Sequence, residues 1–471
     1  MSAAHDVAVW GVGTSPYGKQ PHRRVEALAW EAIAEAVADA GITPADIDAF
    51  IVGSVFGPPG IATRVQRGLG LPGVPMWCVE AACASGTAAY HQAVEAVRDG
   101  RYGCVLVLGV DQMSTLFSGA IVPEATDPEG AAGLPLPGLY ALQAQRYAAV
   151  HGVTPEQLAA VAVKNKRNGL DNPRAQLNDA APSIEEVLAS RMIVEPLTFL
   201  QCCPTTDGAG AVVIGRPRGA RHRDVLVRSS AFVSGAVWDQ RNEHVWGFES
   251  IVRAAEPAFA DAGITATDID VLEVHDAFTI GEVITLEALG LVPVGKGAEL
   301  AVSGHTARDG AQPVYPSGGL LSRGHPLGGT GPAQIAEIVW QLRGEAGPRQ
   351  VQRHRIGVVE TMGGGAPALE SAHMEGQVRH ATFAGGGGDA REEIVALDDD
   401  ARTYTYRYLD GPLDLASYTS TIRVEPDGDG SQVTWNAEFA AGDPAAEPAL
   451  AEAIAGIYAS GLAELARRFD G

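Results

Sequence analysis

An internal repeat constrains this chain more than any other feature of its sequence. The segment DAGITPADIDAFIV at residues 39–52 returns as DAGITATDIDVLEV at residues 261–274, 222 positions later, with nine of fourteen residues identical. Each copy follows a helical stretch and leads into an apolar run. A loop that merely shares common Asp, Gly and Ala residues would not keep the order helix, loop, strand, so the repeat implies two similar strand–helix halves. The runs Val7–Val12, Ile47–Val52 and Cys104–Val110 read as strands, and Val25–Ala40 as an amphipathic helix. Strand and helix signals in alternation predict α/β layers. Runs that are apolar throughout fit strands covered on both faces. The predicted halves span residues 1–222 and 223–376.

A third region, 377–471, has a different pattern. After the glycine run Gly385–Gly388, Tyr404, Tyr406 and Tyr408 alternate with Thr403, Thr405 and Arg407. The runs Tyr418–Val424 and Gln432–Phe439 flank Asp427-Gly428-Asp429-Gly430, a hairpin signal. A last helix is expected over Pro448–Phe469, with Leu450, Ile454, Ile457, Leu462 and Leu465 on one face. The tail is therefore expected to be a small antiparallel β segment closed by a helix.

Composition narrows the class of function. Acidic residues outnumber basic ones by 57 to 34, and a net charge of −23 opposes binding to nucleic acid or an anionic membrane. The N-terminus shows no signal-peptide pattern, and no run approaches the ~20 apolar residues of a membrane helix. Five cysteines, an odd number, argue against a disulfide framework and fit a reducing, cytoplasmic setting.

Three residues stand in contexts that suit chemistry. Cys83 lies in VEAACASGTAA, where an apolar run (Met76–Val79) meets small residues and then a helix. The free N–H groups and positive dipole end of a helix favour a thiolate there, although a buried, inert cysteine fits the same pattern. His325 lies in YPSGGLLSRGHPLGGTG, ahead of a helix expected from about Gly331, and can take a proton from a thiol. That glycine-rich loop, with Ser317 and Gly318, lets a substrate approach the backbone. His275 stands at the end of the second repeat's strand, where α/β folds place functional groups. The glycines of Thr361-Met362-Gly363-Gly364-Gly365 follow a strand (Arg355–Val359), and their N–H groups can form an oxyanion hole. Cys202-Cys203 has no CxxC partner, so no metal site is expected.

Together these segments resemble the thiolase superfamily, and most closely thiolases of the sterol-carrier-protein type. The likeness covers about residues 5–370. It rests on EAACASGTAA, AVKNKRNGLDNPRAQ, SRMIVEPLTFLQCCPTTDGAGAVVI, VHDAFTIGE and PSGGLLSRGHPLGGTG, in that order. The resemblance implies a duplicated five-layer α/β/α/β/α fold, a dimer or tetramer, and acyl-CoA as substrate with CoA as substrate or product and no further cofactor. Cys83 matches the nucleophile, and His325 the histidine that activates it. His275 matches a histidine that orders a contact at the thioester oxygen. The N–H groups of Cys83 and Gly363 match the hole for the acyl-enzyme oxygen, with Gly364 beside it.

Two departures bear on the chemistry. The family's second acid/base cysteine is replaced by Ala277 at one of its places and by Thr361 at the other; Glu360, Asp276 and Tyr315 are the candidates to substitute. Related enzymes use the scaffold for retro-aldol cleavage of a 3-hydroxyacyl-CoA, often with a small OB-fold partner, and a non-catalytic acyl-CoA or lipid-binding protein is a further alternative. Arg64, Arg67, Lys164, Lys166 and Arg167 are candidate cations for CoA phosphates. The tail resembles the second half of a START or polyketide-cyclase helix-grip domain, without its opening strand and two short helices.

Overall fold

The first half of the chain runs β1 (Val7–Thr14), α1 (Val25–Ala40), β2 (Ala49–Gly53), α2 (Ile61–Leu69), β3 (Met76–Val79), α3 (Ser85–Arg98) and β4 (Cys104–Gln112). It continues through α4 (Leu136–His151), α5 (Pro155–Gly169), α6 (Ile184–Ala189), β5 (Met192–Val194), β6 (Leu197–Thr198), β7 (Asp207–Gly215) and β8 (Val225–Val227). The second half adds α7 (Phe248–Ala262), β9 (Val271–Glu273), α8 (Thr279–Ala288), α9 (Gly297–Val302), α10 (Gly319–Ser322), α11 (Leu327–Arg343) and β10 (Gly357–Val359). This computed structural model describes residues 6–71, 73–121, 131, 133–219, 222–235, 247–363, 372–375, 378–383, 388–398, 401–410, 414–427, 430–448, 450–451, 454–455, 458–459, 462 and 466. The chain divides into two units, 1–365 and 366–471.

Both copies of the repeat take the same path, and the identical residues are the ones that set it. Helices α1 and α7 end on Gly41 and Gly263, both left-handed at φ 64° and 67°. The next N–H groups, of Ile42 and Ile264, turn back to the carbonyls of Val37 and Phe259, which closes the helix end. Thr43 and Thr265 form capping boxes with Asp46 and Asp268. Asp48 then accepts the N–H groups of Gly103 and Cys104, as Asp270 accepts those of Arg355 and Ile356. The repeated aspartate thus sets the register between β2 and β4 in one half and between β9 and β10 in the other.

The larger sheet has the order β3-β2-β4-β7-β1-β8. β2 runs parallel to β3 and β4, while β7 is antiparallel to β4 and β1. Its edge strand β8 lies beyond residue 222, so the sheet extends past the predicted boundary of the first half. Alternate residues face opposite ways: Phe50, Val52, Leu106 and Leu108 pack against α1, and Ile51, Val105 and Val107 against α3 and α11. Helix α11 also touches β9 and β10 through Ile338 and Val271. On the other face of β9, Leu272 joins a core with α5, α7 and α8. The layers are therefore helix, sheet, the central pair α3 and α11, sheet, and helix, as the fold class predicts.

Helix α11 starts at Leu327, four residues before the predicted Gly331. Its glycines are interior, and they serve contact rather than turning. A Cβ on Gly86 of α3 would lie 2.2 Å from the Gly328 carbonyl, and one on Gly331 would lie 2.7 Å from the Thr87 nitrogen. Among the described residues no helix is long and apolar enough to cross a membrane.

The second unit is a six-stranded antiparallel sheet of β11 (Ala372–Glu375), β12 (Val378–Phe383), β13 (Gly388–Asp398), β14 (Thr403–Asp410), β15 (Leu415–Asp427) and β16 (Gly430–Ala441), in sequential order. The predicted hairpin is present, with Asp427 opposite Gly430. The sheet is larger than the sequence suggested. Two register shifts against β14 break the alternation of β13. The described positions from 447 onward are helical, and Ile454 and Tyr458 are buried against Tyr406 and Tyr418. Ile457 and Leu465 lie outside the described residues.

Candidate active site

Cys83 sits between β3 and α3, directly ahead of the residue that caps the helix. The turn is tight. Ala82 has φ 46°, a left-handed conformation that costs a non-glycine residue roughly 1–3 kcal/mol. Ser85 holds it: its hydroxyl donates to the Ala82 carbonyl at 2.6 Å and accepts the Ala81 N–H at 2.9 Å. The close approach of Gly86 to Gly328 brings the start of α3 against the start of α11. His325, two residues ahead of α11, is thereby delivered to Cys83.

A third element completes the group. His275 follows β9, and α8 packs so tightly on it that a Cβ on Gly281 would lie 2.5 Å from its carbonyl oxygen. The Cys83 Sγ and one ring nitrogen from each histidine all lie within 4.8 Å of one another, and all three residues are buried. The two imidazoles meet edge to face, 5.1 Å between centroids.

The hydrogen bonds around His325 fit the tautomer protonated at Nδ1. Its Nδ1 lies 2.7 Å from the Thr330 hydroxyl, and that hydroxyl donates its one proton to the Pro326 carbonyl at 2.8 Å. In that arrangement Thr330 accepts from the ring. Nδ1 carries the hydrogen, and Nε2 keeps its lone pair. The backbone N–H of His325 donates to Thr206 Oγ1 at 3.1 Å. Neither ring nitrogen of His275 has a hydrogen-bond partner among the described residues. Burial pushes His275 down to about 3 and drives His325 well below the usual histidine range, so both rings are neutral at neutral pH.

Gly363 lies against the nucleophile turn: a Cβ there would be 2.5 Å from the Ala81 carbonyl and 3.3 Å from Ala84 Cβ. Gly364 lies outside the described residues. Ser317 and Gly318 are used by the fold. The N–H and hydroxyl of Ser317 both go to Glu273, and Gly318, at φ 95°, has room for no side chain against Gly169. Met113 and Leu327 pack with Cys83, and Val55, Phe56, Phe117 and Ile121 extend this apolar wall.

The places where the family has a second cysteine hold inert groups. Ala277 is buried and its carbonyl accepts the Cys203 N–H at 2.9 Å, while the Thr361 hydroxyl donates to Gln334. Of the three substitutes, Asp276 is occupied. It accepts from Asn165 and from the N–H groups of Leu320 and Leu321. Tyr315 is fully buried with φ 58°, and burial raises its phenol far above the ordinary value. Glu360 differs from both. Its carboxylate accepts the His275 N–H at 3.1 Å, with Thr285 Oγ1 at 3.4 Å, and it stands at the end of β10, three residues before Gly363. The residue as a whole is only partly buried, but its carboxyl end is enclosed, and burial pushes it up to about 7.

Two of the proposed phosphate cations are spoken for. Lys164 is buried against Glu282 at 3.0 Å and the Val314 carbonyl, and Lys166 against the Leu321 carbonyl. Burial lowers Lys166 to about 8. Arg64 stays at the surface, on a cleft of about 480 Å³ that Arg23, Arg24 and Phe56 also line. Sequence reasoning missed Asp111. Buried at the end of β4, it accepts from Ser54, from the Phe56 N–H and from the Gly328 N–H at 2.6 Å, and so ties the first sheet to the start of α11. Nothing in VLGVDQM marks it.

Residues 12–217 match the family described as "Thiolase, N-terminal domain", and 233–372 that described as "Thiolase C-terminal domain-like". An acetyl-CoA acetyltransferase of Methanothermobacter thermautotrophicus is 40% identical over 370 residues, 76% of this chain and 96% of that protein. The chain belongs to the thiolase family. Sterol carrier protein 2 of Gallus gallus is 35% identical over 393 residues, 79% of this chain and 72% of that protein. Among solved structures, a chain of the "Ltp2-ChsH2(DUF35) aldolase" is 26% identical with a TM-score of 0.66, covering 75% of this chain and 94% of its own. Residues 335–470 match "Polyketide cyclase / dehydrase and lipid transport", which bears out the likeness read in the tail.

Proposed function

We propose that this thiolase-family chain is an acyl-CoA acyltransferase that makes or breaks a carbon–carbon bond through an acyl-thioester on Cys83. The observation that carries the reading is the convergence of Cys83, His275 and His325, with the His325 Nε2 lone pair left available. In the forward sense Nε2 takes the Cys83 proton as sulfur attacks the thioester carbonyl. The N–H of neutral His275 can meet the oxygen on which charge develops. CoA leaves as the thiol, carrying the proton from His325. The acyl-enzyme oxygen then rests on the N–H groups of Cys83 and Gly363. Glu360 removes the α-proton of a second acyl-CoA, whose carbanion attacks the acyl group. The 3-ketoacyl-CoA departs, and the proton taken by Glu360 passes to the Cys83 thiolate, which restores both groups. Arg64, Arg67 and Arg167 stay exposed as cations for a CoA phosphate, and of these Arg64 lies beside an apolar wall that shares Phe56. The enzyme works as a cytoplasmic homodimer or tetramer without a bound cofactor.

The test is intact-protein mass after incubation with short, medium and branched acyl-CoAs, beside Cys83→Ala. A gain of one acyl group, absent in the variant, supports the reading. No adduct with any donor overturns it. A second reading has its own support in the aldolase-type structural relative and in Ala277 and Thr361: retro-aldol cleavage of a 3-hydroxyacyl-CoA, with a small OB-fold partner. That reaction needs an acid/base but no acyl-enzyme, so Cys83→Ala would keep its activity.

A further inference from the structure

We infer that Cys83, His275 and His325 also form a binding site for a soft divalent metal ion of the zinc class, and that the bound metal switches the thiol off. The spacing rule that predicts no metal looks only along the chain, and these residues come from three distant segments. The fold brings one ligand-type atom from each to within 4.8 Å of the others, all buried.

The donor set is one thiol sulfur and two imidazole nitrogens. That combination selects zinc or cobalt over magnesium or calcium, which prefer oxygen. Tetrahedral zinc, with bonds of about 2.0–2.3 Å, holds its ligands roughly 3.3–3.8 Å apart. From separations of at most 4.8 Å, binding needs up to about 1.5 Å of closure by two rings and one thiol. Three protein ligands leave a fourth position for water, as in open zinc sites.

The second observation is how the histidines are held. Nδ1 of His325 is engaged by the Thr330 hydroxyl at 2.7 Å, which orients the ring and leaves Nε2 to coordinate. Metal-binding histidines are commonly fixed through their other nitrogen in this way. His275 is fully buried with no hydrogen-bond partner at either nitrogen among the described residues, so a metal can take one without breaking an existing bond. Binding forms a sulfur–metal bond, and the displaced thiol proton passes to solvent. No electron is transferred. With the Cys83 lone pair and the His325 Nε2 both engaged, neither attack nor proton transfer can proceed until the metal is removed.

The experiment uses the full chain, treated with chelator and then titrated with Co²⁺. The expected result is one cobalt per chain with a thiolate-to-cobalt charge-transfer band in the near ultraviolet, lost when Zn²⁺ displaces it. Cys83→Ser should abolish the band and His275→Ala should weaken cobalt binding at least tenfold, with circular dichroism showing both folded. Cys202→Ser and Cys203→Ser should keep it. Absence of the band in the parent chain, its survival in Cys83→Ser, or its loss in Cys203→Ser would each overturn the proposal. The spectrum is read without acyl-CoA, so it stands or falls apart from the acyl-transfer reading.

Discussion

The contact between α3 and α11 sets the distance between Cys83 and His325, and Gly86→Ala tests it. The added Cβ would lie 2.2 Å from the Gly328 carbonyl oxygen and 2.4 Å from Pro332 Cδ, where real Cβ contacts do not fall below 3.0 Å. The two helices must part by at least 0.8 Å, because the first obstacle is backbone. Overpacking of this kind costs about 1–3 kcal/mol, offset by the roughly 0.5–1 kcal/mol that alanine gains over glycine in a helix. The expected net loss is therefore about 1–2 kcal/mol. The effect on chemistry should be larger. Cys83 and His325 stand at the facing starts of these helices, and a displacement near 1 Å costs about 10²-fold in rate. The assay is the rate of acyl-enzyme formation by quenched-flow mass spectrometry, beside urea denaturation. Gly119→Ala is the control, since a methyl there meets nothing within 4 Å. Acylation at the parental rate in Gly86→Ala would refute the claim that this contact positions the pair.

Other parts of the site give separate outcomes. Thr330→Val removes the partner of His325 Nδ1 and frees the ring to take the wrong tautomer; acylation should fall by about 10²-fold or more, with stability down by about 1–3 kcal/mol, as read by mass and by urea melts. Asp111→Ala leaves the part-buried Phe56 N–H and the buried Gly328 N–H without an acceptor, and at about 1–3 kcal/mol for each orphaned group the urea-derived stability should drop by about 2–6 kcal/mol. A loss below about 1 kcal/mol would show that Asp111 does not join the halves.

The parts of the fold legible in the sequence are those fixed by short-range chemistry. Gly41 and Gly263 end helices, Thr43 and Thr265 cap turns, and Asp48 and Asp270 hold two N–H groups each, so a conserved local path wrote itself twice into the chain. Cys83 and His325 were visible for a related reason: each stands in a turn of small residues ahead of a helix. What was hidden depends on contacts across long separations. The glycines of α11 look like a loop because their partner, α3, is about 240 residues away. Lys164 and Lys166 look like surface cations, yet α5 is covered by α10 and by the loop that carries Val314. Asp111 shows no pattern at all, since its partners come from two other segments.

In the proposed mechanism Glu360 is the base for the second half of the reaction, and its carboxyl group gives that role a sign. Burial raises it from the ordinary carboxylate value of 4.5 to about 7. As a base it must be ionised, so carbon–carbon bond formation should rise with pH through a midpoint near 7, while formation of the acyl enzyme, which does not use it, should lack that midpoint. Glu360→Gln keeps the shape but cannot take a proton. Condensation should fall by about 10²–10⁴-fold, and the acyl enzyme should accumulate to one group per chain. The same shift sets the stability. Between pH 4.5 and 7 the folded state binds more protons at this carboxyl than the unfolded chain does, so stability declines as pH rises through that window. The full cost, about 3 kcal/mol, is present above pH 7. Glu360→Gln should therefore flatten the stability profile over that range and melt later than the parent at pH 8, less whatever its bonds to the His275 N–H and Thr285 contribute. A structural carboxylate would lose stability on the same change at every pH. A persisting midpoint near 7 in the variant, or condensation at the parental rate, would return the search for the second base to Tyr315.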